Sequence, residues 1–288
     1  MFAITGATGA VGNRVAARLA AAGADQRLVV RDPRRAPELA GAEVSAPAEY
    51  ADREAMRCAF NGVDTVFLVS ARESASRVGE HRTVVDAATD AGVSRIVYLS
   101  FQGAAEFGTF TFGRDHWHTE QYIRESGLEF TFLRDSLYLG AVVGFVGVDG
   151  VIRGPAGDGR VAAVAHDDVA DVAASVLVDG DESGRTYDVA GPEAIGLDDV
   201  ARIVGRACGR SISYHEETIT EAYASRAAHA AAEFEVMGWV SSYQAIAAGE
   251  LADVTDTVER ITGHAPMGLP EYLTRHPAAI AHLGAVSH

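Results

Sequence analysis

The chain begins Met1-Phe2-Ala3-Ile4-Thr5-Gly6-Ala7-Thr8-Gly9-Ala10-Val11-Gly12, five residues of apolar, strand-favouring character running into Gly-x-x-Gly-x-x-Gly. Past the third glycine, Val11, Val15 and Leu19 recur at helical spacing beside Ala16 and Ala20. The pattern predicts a strand, a glycine turn and a helix at the start of the chain. Such a turn builds an anion site out of backbone. Glycines admit close approach of the main chain to a pyrophosphate, and the helix start offers free N–H groups and the positive end of its dipole.

With 288 residues, 48% of them apolar, the chain can bury the core of one large domain or of a domain and a smaller lobe. Lys and Arg number 24 against 40 Asp and Glu, a net charge of −16 that argues against nucleic acid as a partner. An anionic cofactor stays compatible with that charge, because its site is local and uses backbone dipoles. The two cysteines, Cys58 and Cys208, sit in Ala-rich helical surroundings with no Cys or His at metal spacing. They are expected to be buried free thiols, with neither a disulfide framework nor a zinc site. The ten histidines show no H-x-x-x-H or H-E-x-x-H pattern, and no metal is expected. No Gly-x-Ser-x-Gly elbow occurs and no Walker lysine follows the glycine loop, which argues against hydrolase and NTPase chemistry. No basic leader precedes the first strand and no apolar run approaches the roughly 20 residues of a membrane span. A cytoplasmic protein without membrane contact is the expectation.

Strands and helices alternate after the opening unit. Strands are expected over 27–31, 42–45, 65–69, 95–99 and 130–134. Helices are expected over 52–60, with Asp52 as cap and Asn61-Gly62 as stop, over 77–91 closed by Gly92, and over 116–126 stopped by Gly127. This rhythm predicts right-handed βαβ units, and so an α/β Rossmann-type doubly wound parallel sheet. The rhythm breaks between Gly140 and Gly159, where seven glycines predict loop with short strands rather than a regular element. A helix over 167–178, a strand over 185–189 and a helix over 197–208 follow; Asp167 and Asp168 are read as caps of the first. The stretch 212–283, with Phe234, Trp239 and Tyr243, reads as mostly helical, and the closing residues 285–288 are expected to fray. The organisation expected is a dinucleotide domain over 1–135, with 160–192 partly returning to it, and a smaller substrate lobe from 136–159 and 193–288.

A dinucleotide site is decided at the end of its second strand. An acid there bonds the ribose 2′-hydroxyl of NAD, and an arginine takes the 2′-phosphate of NADP. Here the strand ends Val29-Val30-Arg31-Asp32-Pro33-Arg34-Arg35, with Arg31 in the deciding place and three arginines within five residues of an acidic chain. A shift of register by one would put Asp32 there instead. The expectation is NADP(H).

The motifs Gly6-Ala7-Thr8-Gly9-Ala10-Val11-Gly12, Val30-Arg31-Asp32-Pro33, Leu99-Ser100, Leu133-Arg134-Asp135-Ser136 and His166-Asp167-Asp168-Val169-Ala170 stand in the order of a known family. The chain resembles the NmrA-like branch of the atypical short-chain dehydrogenases, and in particular its bacterial NADPH-dependent quinone reductases. The likeness covers nearly the whole chain and is looser in the C-terminal lobe. It implies that Gly6, Thr8, Gly9, Ala10, Val11 and Gly12 line the pyrophosphate and that Arg31, with Arg35 in reserve, takes the 2′-phosphate. It implies that Glu49 and Tyr50 lie beside the adenine, and that Val69 and Ser70 pass the adenine-side ribose. Ser100 matches the serine of short-chain dehydrogenases, and Asp135 and Ser136 fall near the nicotinamide.

One departure bears on mechanism. Counting back from Glu120, the Tyr-x-x-x-Lys of short-chain dehydrogenases becomes Phe112 and His116. Phenylalanine has no proton to give. His116 is the candidate for holding the nicotinamide ribose or donating a proton, against the plainer reading of a helix-cap or core histidine. Quinone reduction suits the missing tyrosine, because a product phenolate needs less help from an acid than an alkoxide does. Phe101, Phe110, Phe112, Trp117 and Tyr138 are candidate pocket walls, with core packing the alternative for each. The function expected is hydride transfer from NADPH to a quinone or similar conjugated carbonyl, by a monomer or homodimer. The alternatives are a non-catalytic dinucleotide sensor acting on a protein partner, and a tailoring reductase of an aromatic metabolite.

Overall fold

The computed structural model describes residues 1–180 and 183–284; the fraying expected at 285–288 lies outside them. The first half alternates β1 (Phe2–Thr5), α1 (Ala10–Ala21), β2 (Gln26–Val29), β3 (Ala42–Val44), α2 (Arg53–Ala59), β4 (Thr65–Val69), α3 (Arg77–Asp90), β5 (Arg95–Phe101), α4 (Thr111–Glu125) and β6 (Glu129–Asp135). Then come α5 (Leu139–Gly144), β7 (Val151–Gly154), β8 (Arg160–Val161), α6 (His166–Asp179) and β9 (Arg185–Val189). The chain closes with β10 (Ile195–Gly196), α7 (Leu197–Cys208), β11 (Ser213–Glu216), α8 (Ile219–Arg226), α9 (Glu233–Ala247), α10 (Thr257–Thr262) and α11 (Leu269–Arg275).

Seven strands pair in parallel in the order β3-β2-β1-β4-β5-β6-β9. The order reverses beside β1, and in an open parallel sheet the crevice at such a reversal, outside the strands' carboxyl ends, is where ligands bind. All seven residues of β5 are buried, as a strand covered on both faces requires. One face carries α1 and α6, where Val11, Val15 and Leu19 meet Val169, Val172 and Val176. The other carries α2, α3 and α4, with Met56, Val84, Val85 and Ile123 in its core. A third core joins α5, α7, α9 and α11 around Val142, Val200, Val204, Tyr243 and Ile246. This lobe also holds the two-stranded pairs β11–β7 and β10–β8.

Asp52 caps α2 as expected, accepting the Ala55 N–H at 3.0 Å. Several expectations need correction. The glycine-rich stretch contains a regular element after all: α5 forms there because Leu139, Val142 and Val143, at positions i, i+3 and i+4, are buried together. α4 starts five residues before the expected His116, at Thr111, whose N–H is taken by Ser241 Oγ of α9 at 3.1 Å. Cys58 is exposed rather than buried. Asp167 and Asp168 do not cap α6, whose cap residue is Ala165. Asp167 instead accepts from Arg14 of α1 at 3.1 Å, and Asp168 accepts the Met267 N–H at 2.7 Å. The two acids thus tie α6 to α1 and to the C-terminal segment. No helix among the described residues is long and apolar enough to cross a membrane.

Candidate active site

At the end of β1 the chain turns through Gly6 at φ +61°, and the Gly9 N–H closes the turn on the Gly6 carbonyl at 2.8 Å. A β-carbon on Gly12 would lie 2.3 Å from the Gly6 oxygen and 2.8 Å from that of Thr5, so α1 rests directly on the loop. No side chain caps α1 and no acid stands in its first turn. Its leading N–H groups therefore face outward beside exposed Thr8, Gly9 and Ala10, with the helix dipole behind them. That is a fit for a pyrophosphate.

Past β2, Val30 is buried and Arg31 exposed. Asp32 is engaged by its own neighbour. Its carboxylate accepts the Arg34 N–H at 3.1 Å and the Arg34 guanidinium at 2.9 and 3.0 Å, capping a 3-10 turn over Pro33–Arg35. Those bonds from Arg34 hold the Asp32 carboxyl below the usual carboxylate range. The acid that competes with Arg31 for the ribose position is thus already paired. Arg35 is exposed in the same turn, and Glu49 is exposed before Tyr50. The Tyr50 hydroxyl lies 2.6 Å from Thr5 Oγ1 and donates to the Val69 carbonyl at 2.7 Å, pinning the ends of β1 and β4 together. Burial pushes its phenol up, while the nearby Arg31 charge pulls it down.

Val69 and Ser70 are half-buried at the end of β4. The next residue, Ala71, is held by both its backbone groups: its N–H donates to His81 Nε2 at 2.8 Å and its carbonyl accepts from Arg77 Nε at 2.9 Å. Both partners are on α3. Arg77 Nη2 reaches His116 Nε2 at 3.1 Å. A guanidinium can only donate, so Nε2 accepts, and Nδ1 carries the proton to the Tyr98 hydroxyl 3.0 Å away. By the same reasoning His81 Nδ1–H donates to Thr119 Oγ1 at 2.8 Å. Burial, with Arg77 second, holds His116 well below the usual histidine range, and the same two causes bring His81 to about 3. His116 is 6% exposed and both its ring nitrogens are engaged, so in this arrangement it anchors the loop after β4. Sequence reasoning passed over Arg77, His81, Tyr98 and Thr119. The signal available was Arg77 and His81 at i and i+4, on the α3 face that further along carries Val84, Val85 and Ala88.

Ser100 lies inside β5, since that strand runs on to Phe101. Its hydroxyl donates to Glu120 Oε1 at 2.6 Å, and Glu120 takes a two-pronged contact from Arg134 at 2.8 and 2.6 Å. Glu120 is fully buried. Removing one partner of such a pair strands the other, so Glu120→Ala is expected to cost about 3–5 kcal/mol by denaturant unfolding. Phe112, at the position of the usual tyrosine, packs on the backbone of α9. A β-carbon on Gly238 would come within 2.3 Å of its ring. Phe101, Phe110 and Phe112 form a ladder with centroids 5.0 and 5.6 Å apart, running from the end of β5 to α9. Trp117 meets His118 instead, at 5.1 Å.

At the end of β6, Asp135 is buried and accepts a hydrogen bond from the Tyr138 hydroxyl. Burial pushes its carboxyl up to about 7. Ser136 Oγ is buried without a hydrogen-bond partner, and so is Gln102 Oε1 at the end of the neighbouring β5. Unmet polar atoms at adjoining strand ends fit a ligand that brings its own polar group, such as a carboxamide.

The model of a family described as NAD(P)H-binding matches residues 6–180, well over half of the chain. The chain is 34% identical over 285 residues to a (4-alkanoyl-5-oxo-2,5-dihydrofuran-3-yl)methyl phosphate reductase of Streptomyces griseus, covering 98% of this chain and 99% of that one. It is 30% identical to quinone oxidoreductase 2 of Escherichia coli, covering 94% and 96%. A crystal structure of the Escherichia coli NADPH-dependent quinone oxidoreductase QOR2 complexed with NADPH superposes with a TM-score of 0.88 at 29% identity, over 96% of this chain and 99% of that one. An NmrA-like oxidoreductase of Aspergillus flavus is also similar, 24% identical over 76% of this chain and 75% of its own length. Glycine loop, strand order and matched family model agree: the chain belongs to the NAD(P)H-binding family.

Proposed function

We propose that this protein is an NADPH-dependent oxidoreductase passing hydride to a quinone or a similarly conjugated carbonyl compound. One observation carries the cofactor choice: Arg31 stands exposed at the end of β2 while Asp32 is paired with Arg34. When bound, the reduced cofactor supplies two electrons as hydride. The glycine loop from Gly6 to Gly12 would hold the pyrophosphate and Arg31, with Arg35, the 2′-phosphate. Val69 and Ser70 would pass the adenine-side ribose, with Tyr50 fixing the strand ends beneath them. Asp135 and Ser136 would border the nicotinamide. His116 acts through Arg77 on the loop at Ala71, as a positioning residue, and Ser100 acts through Glu120. The aromatic ladder at Phe101, Phe110 and Phe112 supports a flat acceptor, and the protein's work is then largely to orient it. A small-molecule acceptor also suits a surface of net charge −16, and free thiols at Cys58 and Cys208 suit the cytoplasm.

The test is anaerobic mixing with NADPH and a panel of benzoquinones, azo dyes and conjugated lactones, followed at the cofactor absorbance. Consumption above the uncatalysed rate, strongest with one acceptor class, is expected. Tight NADPH binding without consumption by any acceptor would instead favour a dinucleotide sensor.

A further inference from the structure

The reductase reading leaves one question: what protonates the reduced acceptor when position 112 is phenylalanine. We propose that Tyr138 and Asp135 form a proton-delivering pair that takes the place of the absent tyrosine. This inference rests on the reductase reading.

The pair lies at the end of β6, the strand end proposed above to border the nicotinamide. Asp135 ends β6 at the carboxyl edge of the sheet, and Tyr138 is three residues on, half-buried, donating to Asp135 Oδ2. The Tyr138 ring stacks on His166, the first residue of α6, with centroids 3.8 Å apart and planes 13° apart. The next residue, Asp167, is bonded to Arg14 of α1, and Arg14 also reaches the Ala10 carbonyl at 2.8 Å. The phenol ring is thereby seated on the start of α6, which Asp167 in turn ties to α1. The stack holds the ring, the carboxyl holds the hydroxyl, and the unpartnered Ser136 Oγ adjoins them in sequence.

The proton balance follows from the hydrogen-bonding capacity of the two groups. With Asp135 protonated, its O–H donates to the phenol oxygen and the phenol O–H is free for a ligand. The acceptor that has taken hydride carries negative charge on oxygen. The Tyr138 O–H bond breaks as the acceptor O–H bond forms, and the Asp135 proton moves to the phenol oxygen. Asp135 is left as carboxylate and is reprotonated by water. An Asp135 carboxyl that titrates at about 7 can load and unload at working pH. Besides each other, the charged group acting on the pair is Arg77 on α3, while His166, stacked on Tyr138, is itself flanked by Arg14 on α1, Asp167 and His276 just past α11. His166 is brought to about 4, chiefly by burial, so it is neutral through the range in which Asp135 titrates.

The experiment compares wild type with Tyr138→Phe, which keeps the ring on His166, and with Asp135→Asn. With an active quinone, wild-type kcat should fall as pH rises through about 7, because the loaded pair is lost. In Tyr138→Phe, kcat should drop by about 10²-fold or more and lose that pH dependence. Asp135→Asn should also lose the pH dependence, and NADP⁺ affinity in Tyr138→Phe should stay within about twofold of wild type. Undiminished turnover with an unchanged pH profile in Tyr138→Phe would overturn the pair while leaving the reductase reading in place. Absence of wild-type turnover would count against the reductase reading, and a binding measurement then decides on the pair. The wild-type complex with NADP⁺ should bind 4-nitrophenol, followed by its absorbance, about 10-fold more tightly than the Tyr138→Phe complex. Equal affinity in the two would overturn the pair.

Discussion

Replacing Gly12 with alanine should abolish measurable NADPH binding and lower thermal stability. The added β-carbon would stand 2.3 Å from the Gly6 oxygen, 2.6 Å from its carbonyl carbon and 2.8 Å from the Thr5 oxygen. All three are backbone atoms that no side-chain rotation can move. α1 must lift away from the loop, pulling Val11, Val15 and Leu19 out of their packing against α6. Overpacking of this kind costs about 1–3 kcal/mol or more. Binding suffers further, because the helix N–H groups and the loop move apart. A control separates the two effects. Gly62, at φ +74°, has nothing within 4 Å of the added atom and lies at the far end of α2. Gly62→Ala should therefore lose about 1–2 kcal/mol from backbone strain alone and keep full NADPH affinity. Thermal melts and fluorescence titration of the three proteins read both quantities.

Stability should fall steeply below pH 6.5. His81 and His116 are buried neutral, with folded values of about 3 and well below the usual range. A histidine whose folded pKa is depressed stabilises fully above its unfolded value near 6.5, and loses that stability as pH falls toward the folded value. Each contributes a loss of about 1.4 kcal/mol per pH unit across that window. Half-buried His166, at about 4, adds in the same direction. Asp135 works the other way. Its raised value means that the folded state holds a proton the unfolded chain releases, so stability rises as pH falls from about 7 toward 4. Two buried histidines and part of a third outweigh Asp135 together with the smaller upward shifts that burial gives Asp115, Asp168 and Asp188. The net slope is on the order of 1–3 kcal/mol per pH unit, read from denaturant unfolding between pH 7 and 4.5. A flat profile would mean that water reaches the network around Arg77.

Where sequence signals were local, they read true. β4 and β9 are as expected because unbroken runs of Thr65-Val66-Phe67-Leu68-Val69 and Arg185-Thr186-Tyr187-Asp188-Val189 admit one assignment each. α7 starts and stops as expected, its first turn carrying Asp198 and Asp199 and its end marked by Gly209 in the left-handed region. Errors arose where distant residues decide. The start of α4 is satisfied by Ser241, 130 residues away, and no local cap marks it. α5 forms in a glycine-rich stretch because the lobe core takes up Leu139, Val142 and Val143.

The candidate site divides in the same way. The glycine turn and the exposed place of Arg31 past β2 were legible because adjacent residues set them. The role of Asp32 was not, since it turns on a bond to Arg34 that only the folded turn displays. Ser100 was recognised by its match to the serine of short-chain dehydrogenases, and His116 by its place four residues before Glu120. Their partners Glu120, Arg134, Arg77 and Tyr98 lie on four different elements, α4, β6, α3 and β5, and the pairing appears only in three dimensions.

The central claim is that this crevice takes the 2′-phosphorylated cofactor through Arg31. Titration of wild type and Arg31→Glu with NADPH and NADH tests it most directly. A charge-assisted arginine–phosphate contact replaced by like-charge repulsion predicts about a 100-fold loss of NADPH affinity, with NADH changed by less than about threefold. Wild-type protein that binds the two cofactors equally, or a variant that loses both in equal measure, would contradict it.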